Sequence, residues 1–314
     1  MQRMQTIDSI AKLLNWLSMN KPNDFHKTYF RGESKNFVNT AFKPSLFRNN
    51  KWLFNETAMY YDVLQENPVS FEKDTTVFER LVRMQHFGLP TRLLDITSNP
   101  LVALYFSCND NFKSDGIFYA VTTKKSELKT QNDESVKFLS KVVLLGDFDN
   151  ELTSRYDITA FLENRKKYTE EYMQAMIEEN ESKKDDIFSK LWSLTKTGVF
   201  KFLNEGLSDN NELKKLDLFD RMIIVKAPKN NFRQFSQSGD FLMFGNNASL
   251  TNGNSVKNFT INKLRIPASK KLEILEELEL ININQYSLFP ELSSLCELVK
   301  RRHSRLKFNY PDNI

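Results

Sequence analysis

The stretch that most constrains how this chain can fold is Arg83-Met84-Gln85-His86-Phe87-Gly88-Leu89-Pro90-Thr91-Arg92-Leu93-Leu94-Asp95-Ile96-Thr97-Ser98-Asn99-Pro100-Leu101-Val102-Ala103-Leu104-Tyr105-Phe106. Gly88 and Pro90 must stop an amphipathic helix, since glycine tolerates the left-handed conformation that closes a helix and proline cannot continue one. The pattern predicts that helix over about 75–87. Asn99 offers a side-chain cap and Pro100 suits a first helical position, so a second helix begins there with Leu101, Leu104 and Tyr105 turned inward. The connector between them, a turn or short strand, holds Thr91, Arg92, Asp95, Thr97 and Ser98 among apolar residues that must be buried. Polar groups pinned in that way need partners or a task.

Along the rest of the chain the apolar spacing predicts a helix over 6–19, a short strand over 28–31, and a helix over 53–67 that ends at Pro68. The β-rich run 116–122 and the branched run 141–145 read as strands covered on both faces. From 149 to 210 the character changes to charge-laced helix, with Glu163-Asn164-Arg165-Lys166-Lys167 as an example. This is expected to be a helical insertion with its charges on a solvated face. Strands return over 221–226, 240–244 and 259–266, and helices over 272–280 and 292–307 close the chain. No internal repeat or low-complexity linker interrupts it, so the expectation is one α+β domain over 1–314: a mixed sheet core with flanking helices and the insertion.

With 314 residues, 40% of them hydrophobic, the chain can bury a substantial core. Its net charge of +4 is too small to imply nucleic-acid binding without clustering. Cys108 and Cys296 have no metal-ligand spacing and fit a reducing compartment. Residues 1–9 lack the charged-then-apolar pattern of a secretion signal, and no apolar run is long enough to span a bilayer. A cytoplasmic protein without a membrane partner is expected.

Several residues carry possible chemistry. Arg31 ends an apolar strand beside Gly32, where a guanidinium can offer a planar fork to a phosphate or carboxylate, unless it is consumed in a buried pair with Asp95 or a glutamate. Gly32 would let the backbone turn or a ligand approach closely. Arg92 and Asp95 are near enough in sequence to pair with each other. Thr97 and Ser98 bring hydroxyls to a helix N-terminus, which either binds an anion or simply caps the helix. His86, near a helix C-terminus, is either a dipole contact or a functional imidazole. Nothing resembles a nucleophile–base triad, a zinc site, a Walker loop or a dinucleotide-binding glycine fingerprint, so no metal is expected.

Tyr29-Phe30-Arg31-Gly32-Glu33 and the Gln85-to-Asp95 segment, followed by Asn99-Pro100-Leu101, together resemble the FRG domain family, named for its Phe-Arg-Gly element. Gln237-Ser238-Gly239-Asp240-Phe241 and Ser287-Leu288-Phe289-Pro290-Glu291-Leu292 resemble two further elements of that family. The order of the polar elements is also similar to the arginine–serine–glutamate layout of ADP-ribosyltransferases, which implies a fold of that kind. The roles that resemblance implies fall on Arg31 for the phosphates or ribose of NAD, on Thr97 or Ser98 for the nicotinamide ribose, and on Gln237 for a ribose hydroxyl. Thr91, Arg92, Asp95 and Gly32 would line the same nucleotide site, with His86 beside it. Gln237 departs from the pattern because a neutral amide cannot stabilise developing positive charge, and Glu33 could compensate only if the fold brings it close.

Two functional classes follow. One is an NAD-consuming transferase or glycohydrolase, a bacterial toxin or antiphage effector. The other is a non-catalytic module on the same scaffold that binds a nucleotide, a nucleic acid or a protein; either class leaves room for a cognate regulatory partner. The first requires Arg31, Asp95, Thr97 and Gln237 to converge on one cleft.

Overall fold

In the computed structural model, the structure describes residues 4–147, 217–227, 232–245 and 258–290, together with the helix Glu181–Leu194, Ala248 and single positions within 164–205 and 296–300. The elements in order are β1 (Gln5–Thr6), α1 (Ile10–Met19), β2 (His26–Glu33), α2 (Asn50–Phe54), α3 (Glu56–Glu66), α4 (Val77–His86), β3 (Leu93–Thr97), α5 (Pro100–Cys108), β4 (Gly116–Lys124), β5 (Lys129–Thr130) and α6 (Glu134–Ser140). They continue with α7 (Glu181–Leu194), β6 (Met222–Lys226), α8 (Phe232–Ser236), β7 (Gly239–Phe244), β8 (Phe259–Ile266), α9 (Lys271–Leu280) and α10 (Gln285–Leu288). The strands form one eight-stranded mixed sheet in the order β1-β8-β4-β2-β3-β7-β6-β5. Only β1 with β8 and β5 with β6 run parallel. No helix among the described residues is long and apolar enough to cross a membrane.

The helix stops are those the sequence demands. Thr76 and Glu79 form a capping box at the start of α4, and its end closes on Gly88 at φ +93° with Leu89 N–H bonded to Met84 O at 3.0 Å. Asn99 caps α5 through Leu101 N–H at 2.9 Å. Elsewhere the spacing misleads. Residues 5–6 pair with Leu264 and Arg265 at the sheet edge, so the first helix waits for its Ser9 cap. The helix expected over 53–67 is two, with Asn55 ending α2 and opening α3. The run 141–145 is not a strand but a 3-10 helix, Lys141–Asp147, that continues α6. Val142, Val143 and Leu145 are buried there against α3; a short branched run supplies the same burial as helix or strand, and periodicity cannot separate them.

Three apolar clusters organise the packing. Tyr29, Leu94, Ile96, Tyr119, Val121, Ile224 and Leu242 line one face of the sheet, covered by Phe42 and Phe47. The other face carries two separate clusters. One joins Phe30, Phe118 and Leu264 to α1, α5 and α9. The other joins Leu93, Phe241 and Met243 to α3, α4 and α6. Within 149–210, Ile187 and Leu203 are buried and Tyr168 packs against this last cluster. Apart from α7 and single positions, the insertion lies outside the described residues, as does most of the helix expected over 292–307.

Arg92 is fully buried and does not pair with Asp95. Its Nε and Nη2 donate to both carboxylate oxygens of Glu56 at 2.9 and 2.5 Å, and its Nη1 donates to Phe244 O at 3.3 Å. The pair ties the start of α3 to the ends of β3 and β7. Removing one partner leaves an uncompensated buried charge, so Arg92→Met is expected to cost about 3–5 kcal/mol. In urea melts the double variant Arg92→Met/Glu56→Leu should recover most of that loss. Equal losses in the single and double variants would show that the pair is not what holds these elements.

Candidate functional site

β2 and β3 are neighbours, yet they share a single residue pair, Phe30 with Thr97. By contrast β2 pairs with β4 over its whole length. Past Phe30 and Thr97 the two strands part, and Asp95 O loses the ladder donor it would have had. Arg31 supplies the replacement: its Nη1 donates to Asp95 O at 2.8 Å while its Nε donates to Glu33 Oε1 at 3.4 Å. The guanidinium thus bridges the split in the sheet. On the helical face the two clusters also stay apart, and the gap between them is a cleft of about 220 Å³.

Arg31, Gly32, His86, Asp95, Thr97 and Gln237 all line this cleft. Phe30, Val102 and Phe106 form one wall, and Phe241 with the His86 ring, 6.2 Å away, forms the other. Elements more than two hundred residues apart in sequence therefore meet as expected. The joints are explicit. Thr97 Oγ1 donates to Gln237 O at 2.6 Å, Ser98 N–H donates to Ser238 O at 3.1 Å, and Gln237 Nε2 donates to Leu288 O at 3.0 Å. Ser238 holds a left-handed φ of 47°, uncommon for a residue other than glycine. The α10 end is fixed further by Phe289 packed edge-on against Phe106 at 6.0 Å.

Other sequence candidates have different work. Arg92 is in its buried pair with Glu56. Thr91 is 1% exposed; its hydroxyl donates to Gln85 Oε1 and accepts from Leu93 N–H at 3.2 Å, closing the turn after α4. Ser98 is exposed and is not part of the lining. Gly32 is needed for packing: a Cβ there would lie 1.9 Å from Ala103 O, so only glycine lets α5 press onto β2. Glu33, the spare carboxylate, is 3% exposed and saturated, accepting from Phe42 N–H at 2.9 Å and Tyr119 O–H at 3.3 Å as well as from Arg31. Burial first, and then the Glu33 charge, push the Tyr119 phenol far above its ordinary pKa, so it stays a donor.

Two carboxylates line the cleft, Asp240, which is buried, and Asp95. Asp95 is exposed in the middle of a strand whose other residues are buried, a position where aspartate is disfavoured. Its side chain makes no hydrogen bond or ion pair among the described residues. Asp240 and Phe106, which lie inside the quoted stretches but were given no role there, also line the cleft, as does Gln234, which nothing in the spacing marks. A larger cavity of about 540 Å³ lies beside Lys129, Asp133, Asp217 and Arg221, but no residue singled out from the sequence lines it. Among the described residues no group of three His, Cys, Asp or Glu side chains could hold a metal ion.

Because Arg31 meets Asp95 only through the backbone carbonyl, Arg31→Met and Asp95→Ala are expected to be additive in stability within about 0.5 kcal/mol. Arg31→Met and Glu33→Gln should instead couple, by roughly 0.5–3 kcal/mol. Denaturant melts of the two double-mutant cycles decide it, and strong coupling to Asp95 would restore the carboxylate pair.

No curated protein and no solved structure matches the chain. A family model described as FRG domain does match, over residues 26–116, from the first residue of β2 to the first residue of β4. That region supplies Arg31, His86, Asp95, Thr97 and the α5 wall, whereas Gln237 and the α10 contact lie beyond it. The chain therefore carries an FRG domain.

Proposed function

We propose that this FRG-domain protein is an effector that acts on NAD or a related nucleotide through the cleft between β2 and β3, in the manner of ADP-ribosyltransferases. The observation that supports this reading is the convergence of Arg31, Asp95, Thr97 and Gln237 on one cleft. At about 220 Å³ the cleft is smaller than the roughly 300–1,000 Å³ of pockets that enclose a drug-sized ligand. One ring and its ribose would enter, and the phosphates would stay at the mouth near Arg31. In the reaction the glycosidic C–N bond breaks, nicotinamide departs with the bonding electron pair, and an acceptor oxygen forms the new bond to the ribose carbon.

The positive charge that develops on the ribose needs a carboxylate, and Gln237, neutral and bonded to Leu288 O, does not provide one. Asp95 takes that role in this reading, as an electrostatic stabiliser. The setting implied by the family resemblance is a toxin-type or antiphage system in bacteria. A second reading, a non-catalytic nucleotide-, nucleic-acid- or protein-binding module, is favoured by one fact: the Thr97 hydroxyl and the Gln237 amide are both already bonded to backbone carbonyls.

Nicotinamide release from NAD, followed by chromatography, separates the two. Asp95→Asn is expected to keep the melting temperature of the parent and to lose activity on the order of a hundredfold or more. If the parent protein releases no nicotinamide and neither NAD nor ADP-ribose binds, the enzymatic reading fails and the binding module remains.

A further inference from the structure

Inside the cleft the balance of fixed charge is negative. Besides the His86 imidazole, its described lining residues include two carboxylates, Asp95 and Asp240, and one arginine, Arg31. The Arg31 charge is already met by Glu33, which lies outside the lining, through Nε at 3.4 Å, and its Nη1 is spent on Asp95 O. Asp240 accepts from Ala227 N–H at 3.1 Å. Asp95 differs from both, because its carboxylate has no hydrogen bond or ion pair among the described residues. Ladder register gives the reason. Its cross-strand neighbour on β7 is Phe241, which offers no donor, and on the other side β2 has parted from β3.

The groups around that carboxylate are largely aromatic. Phe241 and the His86 ring, 6.2 Å apart, form one wall, and Phe106, held edge-on by Phe289 at 6.0 Å, stands with Phe30 in the other. A neutral ring entering between these walls would strip water from Asp95 and give nothing back. A ring that carries positive charge offsets that loss, and the apolar walls strengthen the attraction. The aromatic faces add to it, since the face of such a ring is its negative side. A metal ion does not suit these walls, because hard cations take a shell of oxygens and most of this lining is carbon.

We infer that the cleft selects a flat organic cation and, within the nucleotide reading, takes the pyridinium ring of an oxidised nicotinamide nucleotide in preference to the neutral ring of the reduced one. The preference for positive charge stands on the lining; only the choice of pyridinium rests on the nucleotide reading.

The test is a ligand-observed NMR titration of the full chain, beside thermal melts, with nicotinamide methylated on its ring nitrogen and with the neutral dihydro form of the same molecule. The two share every heavy atom and differ in charge. The parent is expected to bind the cation on the order of tenfold or more tightly than the neutral form, and Asp95→Asn to lose that preference. Phe106→Leu keeps apolar bulk without a ring face and should weaken the cation by about threefold or more. Glu273→Gln makes the same carboxylate-to-amide change on α9, outside the lining, and should alter nothing. Equal binding of the two forms by the parent, no binding of either, or a preference that survives in Asp95→Asn at unchanged melting temperature overturns the inference. Binding of the methylated cation that depends on Asp95, with no binding of NAD and no release of nicotinamide from it, supports the charge selection and sinks only the nucleotide reading. Agmatine, which carries the guanidinium of an arginine side chain, overturns the pyridinium assignment in favour of an arginine presented by a protein if it binds more tightly with the same dependence on Asp95.

Discussion

The feature on which the site depends is a ladder that stops after one rung. Where β2 and β3 pair only at Phe30 and Thr97, the sheet opens, and a backbone carbonyl is left needing a donor. Arg31 fills that need and holds the opening at a fixed width, since its guanidinium is also tethered to a carboxylate that cannot move. The split in the strands is matched by a split in the helical layer, because Phe30 packs toward α5 while Leu93 and Phe241 pack toward α4. A cleft follows from two cores that share one sheet without merging beneath it.

The polar residues of the central stretch divide by depth. Thr91 and Arg92, at the start of β3, are buried and spent on structure, closing a turn and locking α3 to the sheet. Asp95 and Thr97, further along the same strand, reach the cleft. A dense run of polar residues is thus a poor guide to function by itself: half of this one holds the other half in position. The Arg92–Glu56 pair is a case where burying two charges serves geometry, since desolvating them recovers little net stability.

By itself the sequence determined the local rules. Gly88 and Pro90 end α4, Asn99 and Pro100 begin α5, and β-rich composition marks β4, because each of these depends on a few adjacent residues. The family resemblance singled out Arg31, Gly32, His86, Asp95, Thr97 and Gln237, which line one cleft, and equally Thr91, Arg92 and Ser98, which do not. Only the tertiary structure decided the partners. Arg31 meets the backbone of Asp95 and the side chain of Glu33, Arg92 meets Glu56, the residues over 141–145 coil instead of pairing, and Gln237 ends on Leu288. Each of those outcomes turns on which surface a residue meets across the sheet. Burial and ladder register are properties of the assembled layers, and spacing along the chain does not encode them. Gln234 was missed for the same reason: its neighbours in sequence are ordinary, and only its neighbours in space are not.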